Sequence, residues 1–178
     1  MKRILKYSFA IIVTIFGLLA AWYGFGFLQY KNEIDHVLVN SDKMYKDVDS
    51  SLYKLSVIAE GEKGIVRWAS QRAYWDIAHH KEDKNLTRQL NSLLWFYCIQ
   101  LHYNQKEIFK LWCHYSLYID GYGLNNAALK YFGKSIKELS LEEKAAIVAM
   151  VKSPSRYEPG SEKSIERIKY ILERFHNS

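Results

Sequence analysis

Tyr7 to Tyr30 is a run of 24 residues without a single charged side chain. As a helix rising ~1.5 Å per residue it spans ~36 Å, enough to cross a ~30 Å hydrocarbon layer with some tilt. Lys2, Arg3 and Lys6 precede it, and Trp22, Tyr23 and Tyr30 cluster at its far end. Positive flanks stay in the cytoplasm and aromatic rings favour the interface. The expectation is therefore a single-pass anchor in a bacterial inner membrane. The N-terminus lies inside, and the rest of the chain is periplasmic or extracellular. The rival is a cleaved signal peptide. Ala20–Ala21 offers small residues for cleavage, but the apolar run continues through Phe25 and Phe27.

Setting the three basic residues aside lowers the net charge from +6 to +3. That surface is mixed in sign and suits a position beside an anionic membrane. It has no dense interleaving of basic and aromatic residues, so a nucleic-acid partner is not expected. Only two Pro and nine Gly in 178 residues argue for helices over a strand-and-turn fold. The two cysteines cannot build a disulfide scaffold, and they read as small buried thiols on adjacent helices.

Beyond the anchor (residues 1–30), residues 31–56 read as a polar stalk or lead-in segment, helical around 32–39. Gly61 and Gly64 suggest a turn, residues 65–78 a helix, and His79–Asn85 a charged loop. His79–His80 lacks the ligand spacing of a metal site. From Leu86 to Tyr103, apolar residues at 86, 90, 93, 94, 97 and 101 predict an amphipathic helix with that face buried. Asn104 with Glu107 reads as a capping box for the next helix, whose stripe is Ile108, Leu111, Trp112 and Tyr115. Asn125 or Asn126 is expected to cap a short helix over 127–132. Ser140 with Glu143 opens a helix over 141–151 that is apolar nearly all round, the mark of a central core helix. Pro154 ends it. Ser161 starts a last helix with Ile165, Ile168, Ile171, Leu172 and Phe175 on its buried side. The fold class is all-α, with about six helices and no convincing strand.

The segment Tyr131-Phe-Gly-Lys134, followed by Leu139, Glu143-Lys-Ala-Ala146 and Pro154-Ser-Arg-Tyr-Glu-Pro159, resembles the last motif of the peptidoglycan glycosyltransferases. Gly121–Lys134 is similar to that family's approach to the Y-F-G-K motif, and Gln105–His114 to its K-x-x-I-L-x-x-Y-L-N helix. The resemblance covers roughly residues 86–175. It implies a lysozyme-like helical domain over 57–178, anchored in the inner membrane and acting on lipid II or glycan strands in cell-wall synthesis. A glutamate of the family takes a proton from the acceptor sugar hydroxyl. That oxygen attacks the anomeric carbon with inversion, and polyprenyl pyrophosphate leaves. General-base help and cationic stabilisation of the leaving group are what such a reaction needs. No cofactor is evident; by resemblance a divalent cation can accompany the substrate pyrophosphate.

The departures fall on the chemistry. Leu55–Trp68 resembles the approach to the family's leading glutamate, which aligns with Glu60, with Glu62 as the spare. The Asp that should follow is Gly61, and the F-x-x-H portion is missing. Two solvated carboxylates in a turn are the alternative reading. The G-G-S-T-I-T-Q-Q motif is absent. In one register Leu86–Leu90 matches its tail; in the preferred register Arg88 aligns with the Arg of R-K-x-x-E, the Lys becomes Gln89 and the second glutamate becomes Ser92. The Lys of the next motif is Gln105, and its closing Asn is His114. Arg88, Arg67 and Lys134 are the substrate-binding candidates that the resemblance implies. Two functions compete at this point: a divergent, catalytically impaired enzyme, and a non-catalytic partner that binds lipid II, glycan or a cell-wall synthase.

Overall fold

The computed structural model describes residues 2–45, 50–79 and 84–178. The charged loop at 80–83, including His80, lies outside the described residues.

The centre of the fold is the helix that the sequence makes apolar on every side. Helix α8 (Leu141–Val151) opens with a two-way capping box, Ser140 accepting from the Glu143 N–H and Glu143 accepting from the Ser140 N–H. Both bonds satisfy backbone donors that the first turn leaves orphaned. Residues 144–151 are all buried, and Ala145, Val148 and Ala149 are wholly inaccessible. Around α8 pack α3 (Ser50–Glu60), α7 (Leu124–Phe132) and α9 (Glu162–His176).

A second layer is built on α4 (Glu62–Ile77), which packs against α5 (Asn85–His102) and α6 (Gln105–Tyr115). The Asn104–Glu107 capping box of α6 is formed, and its whole predicted stripe is buried. Trp95, Trp112 and Tyr74 are the largest fully buried side chains of the core. Cys98 and Cys113 are buried free thiols. Between α6 and α7 a two-residue antiparallel hairpin pairs Leu117–Tyr118 with Gly121–Tyr122. Helix α7 starts from Gly123, at φ 94°, rather than from an asparagine cap. Asn125 instead accepts from the Ile136 N–H, and Asn126 donates to the Tyr122 carbonyl.

Helix α1 (Lys2–Gly26) runs unbroken through Ala20–Ala21. It is long and apolar enough to cross a membrane, and it leaves Tyr7 to Leu19 exposed. Its last turns pack on α5. Helix α2 (Lys31–Tyr45) follows after a short 3-10 turn. The stretch read as a stalk or lead-in segment supplies Ile34, Leu38, Leu52 and Leu55 to the core, so it is part of the packed body. The buried Tyr45 hydroxyl donates to the Cys113 carbonyl and accepts from the Asn125 N–H, tying α2 to α6 and α7.

Two predicted faces differ from the structure. On α9 Ile171 is buried, but Ile165 is exposed. On α5 the difference is larger: Leu86, Leu90, Leu93, Tyr97 and Leu101 face outward, while Trp95, Cys98 and Ile99 face the core. Periodicity selected the wider of two apolar faces, and the narrower one carries the bulky tryptophan.

The close packing of α8 sets a measurable cost. Ala149→Leu adds three carbons where there is no space, and overpacking of this kind costs ~1–3 kcal/mol. The variant should lower the thermal midpoint by several degrees, while a leucine at exposed Lys163 should leave it unchanged.

Candidate functional site

Helices α4 and α5 diverge from their shared core contacts and leave a groove of about 660 Å³. From α4 it is lined by Arg67, Ser70, Gln71 and Trp75, and from α5 by Arg88, Gln89, Ser92, Leu93, Phe96 and Tyr97. The Arg88 Nη2 donates to Asn85 Oδ1 at 2.6 Å, and its guanidinium lies 5.4 Å from the centre of the Trp75 ring. Two cations and several apolar or aromatic side chains line the same groove. That combination suits an anionic head group joined to an apolar tail. No carboxylate lines the groove among the described residues. Two guanidinium groups and no carboxylate do not fit a divalent cation held by the protein, whose sites draw on carboxylate oxygens.

The candidate base is elsewhere. Glu60 ends α3, and its Oε1 accepts from Arg167 Nη2 of α9 at 2.9 Å. The same guanidinium donates to the Ala59 carbonyl at 3.3 Å and, through Nε, to the Ala149 carbonyl at 3.2 Å. It also lies over the Tyr157 ring. Both side chains of the pair are largely buried. Burial pushes the Glu60 carboxyl above the ordinary carboxylate range; Arg167 and Lys152 oppose that shift without cancelling it.

Gly61 explains why Glu60 faces this way. Its φ of 73° and ψ of 154° belong to a region essentially restricted to glycine. One residue therefore turns the chain from α3 into α4. The resemblance puts an aspartate here, and this backbone does not accept one without strain. Gly64, the other glycine of the expected turn, lies inside α4.

Glu62 opens α4 and lies in a second hollow with Tyr53, Lys63, Tyr103 and Gln105, where the tyrosine's burial and then the Glu62 charge raise the Tyr53 hydroxyl pKa. Lys134 pairs with Glu143 at 2.7 Å, beside the α8 capping box. Of the residues singled out against the family's motifs, the groove thus brings together Arg67, Arg88, Gln89 and Ser92. It does not include Glu60, Glu62 or Lys134. A smaller cleft shares Trp75 with the groove and holds Arg72, Asp76, His114, Tyr115 and Tyr122. There the Tyr115 hydroxyl donates to Asp76 Oδ2 at 3.4 Å, and burial holds the His114 imidazole below its usual range. Sequence reasoning passed over Asp76 and Arg167, since neither sits in a motif.

The family model described as Transglycosylase matches residues 69–176. This chain belongs to the transglycosylase family. Glu60, Glu62 and Arg67 lie before the matched stretch. Similar proteins include penicillin-binding protein 1A of Pseudomonas aeruginosa, 38% identical over 96 residues, which cover 52% of this chain and 12% of that protein. Penicillin-binding protein 1A of Aquifex aeolicus is 33% identical over 126 residues, covering 68% of this chain and 16% of that protein. That of Rickettsia typhi is 34% identical over 95 residues, covering 51% and 12%. The chain spans only a small part of the length of these relatives.

The α3–α4 corner can be probed at both partners. Arg167→Gln removes the cation that partly offsets Glu60's burial, and breaking such a pair costs ~1–3 kcal/mol. A carboxyl whose pKa is raised in the folded state loses stability as pH rises through that range. The variant should therefore be least affected near pH ~4 and progressively more destabilised toward pH ~7 in chemical denaturation. A pH-independent loss would mean that Glu60 does not titrate in contact with Arg167. Gly61→Asp should cost ~1–3 kcal/mol through backbone strain.

Proposed function

We propose that this chain is a membrane-anchored peptidoglycan glycosyltransferase-like protein whose groove holds the pyrophosphate of lipid II or of a growing glycan strand, and whose own polymerising activity is severely impaired. The observation that carries the reading is the separation of cations from base. Arg67 and Arg88 line the groove, while Glu60 is engaged by Arg167 outside it. Guanidinium groups beside aromatic and aliphatic walls can grip a lipid-linked pyrophosphate. A serine at position 92 cannot supply the charge of a second glutamate. Anchoring by α1 would hold the groove at the outer face of the cytoplasmic membrane, where such a lipid is presented.

The same separation favours a second reading, in which the protein binds its lipid-linked ligand as a regulatory partner of a cell-wall synthase. Both readings predict binding without efficient polymerisation. Losing one preorganised electrostatic group commonly costs ~10²–10³ in rate, and several losses together leave little turnover.

The test is lipid II polymerisation by the detergent-purified full chain, beside an active family member, with lipid II binding measured on the same sample. Expected are binding that weakens roughly tenfold or more in Arg67→Ala/Arg88→Ala and glycan synthesis at least ~10³-fold below the control. Polymerisation near the control rate, abolished by Glu60→Gln, would overturn the proposal of impaired catalysis. Undiminished binding by the double arginine variant would remove the groove as the ligand site.

A further inference from the structure

The link from α8 to α9 is fixed by its own hydrogen bonds. The Arg156 and Tyr157 N–H groups both donate to the Ser153 carbonyl, and Ser161 Oγ donates to the Arg156 carbonyl at 3.4 Å. Between this turn and α9 lies a hollow of about 240 Å³, lined by Arg156, Tyr157, Lys163, Glu166, Arg167 and Tyr170. It shares no residue with the α4–α5 groove.

Three of the six lining residues are cations, and each is unfavourably placed. Arg156 and Arg167 lie against the same Tyr157 ring, 5.5 and 5.1 Å from its centre. The ring attracts each guanidinium, but the two like charges repel one another. Lys163 is in the first turn of α9, where the helix dipole disfavours a cation. Among the described residues, neither the Arg156 guanidinium nor the Lys163 ammonium has a hydrogen bond or an ion pair. Glu166, the one carboxylate of the lining, pairs with neither.

Arg167 joins this hollow to Glu60. Its Nε donates to the Ala149 carbonyl, and its Nη2 donates to the Ala59 carbonyl and Glu60 Oε1. The Nη1 edge is left without a hydrogen bond among the described residues. One guanidinium thus has a carboxylate on one edge and an unfilled donor edge on the other.

We propose that this hollow binds an oxyanion, a carboxylate or a phosphate group, on Arg156, Lys163 and the Nη1 edge of Arg167, and that its occupant and Glu60 weaken each other's hold on that shared guanidinium. An oxyanion supplies the negative charge that the three cations lack, and guanidinium groups take such oxygens in paired hydrogen bonds. Tyr157 and Tyr170 offer ring surface to the organic part that carries it. Coupling between two sites is reciprocal. A ligand here therefore loosens Glu60 by the same factor by which the Glu60 charge weakens the ligand. Nothing in this hollow depends on what the α4–α5 groove holds.

The test is isothermal titration calorimetry on the detergent-purified full chain at low ionic strength, where exposed charges are least screened. The chain carries Arg67→Ala/Arg88→Ala, so that the groove takes no anion. The probes are inorganic phosphate and N-acetyl-Glu-Glu. At least one should bind at a single site, and the tighter of the two names the group for which the hollow is built. Arg156→Ala/Lys163→Ala removes two exposed side chains and should weaken binding tenfold or more. Glu60→Gln should tighten it several-fold, because Arg167 then has one anion to hold. Glu60→Asp, whose shorter side chain draws the carboxylate back, should do the same if the glutamine variant fails to fold. No binding of either probe, or binding untouched by the loss of Arg156 and Lys163, overturns the site. Unchanged affinity in folded Glu60→Gln or Glu60→Asp overturns the coupling. Anion binding that is present with Arg67 and Arg88 and vanishes without them belongs to the groove alone, and also overturns the site.

Discussion

Gly61 turns the chain from α3 into α4 in one residue, at dihedral angles that a side chain strongly disfavours. Much of the functional geometry follows from that corner. It ends α3 at Glu60, and the carboxylate there meets Arg167 of α9 rather than the groove between α4 and α5. Arg167 in turn bonds carbonyls at the end of α3 and in α8, so one guanidinium joins three helices. A charge buried in this way is held by its partners. Freeing Glu60 to act as a base would leave Arg167 without its carboxylate, at a cost comparable to losing a buried ion pair.

On the reading proposed above, the groove keeps the part of the chemistry that needs cations and shape. Arg67 and Arg88 come from facing helices, and Trp75 supplies a flat wall beneath one guanidinium. Such a site can favour a pyrophosphate without moving a proton. Leu93, Phe96 and Tyr97 of α5 give the same groove an oily side beside its arginines. An amphiphile, rather than a free sugar, has the matching distribution.

Legibility in the sequence followed the range of the forces involved. The boxes at Asn104 and Ser140 are local bonds spanning three residues, and both formed as the spacing predicted. The all-round apolar α8 was readable because one sequence feature, the unbroken apolar run from Ala145 to Val151, has one structural cause. Helix α5 was legible as a helix, but its orientation was not. The amphipathic rule assumes water on the outer side, and α5 carries apolar residues on two faces. The segment 31–56 looked too polar to be core because single residues, Ile34, Leu38, Leu52 and Leu55, make its packing contacts. Arg167 was out of reach altogether: it is 107 positions from Glu60, and nothing in a basic residue on an amphipathic helix names its partner. The absence of the family's Asp was visible at Gly61; that the replacement tightens the corner needed the backbone angles.

The central claim is that Glu60 stays with Arg167 while the groove is occupied. An experimental structure of the full chain with a polyprenyl-pyrophosphate sugar analogue bound measures this directly. The pyrophosphate should sit between Arg67 and Arg88, with the Glu60 carboxylate still within hydrogen-bond distance of Arg167 Nη2. A Glu60 carboxylate released from Arg167 and in contact with a sugar hydroxyl would contradict it, and would restore the chain to the working enzymes of its family.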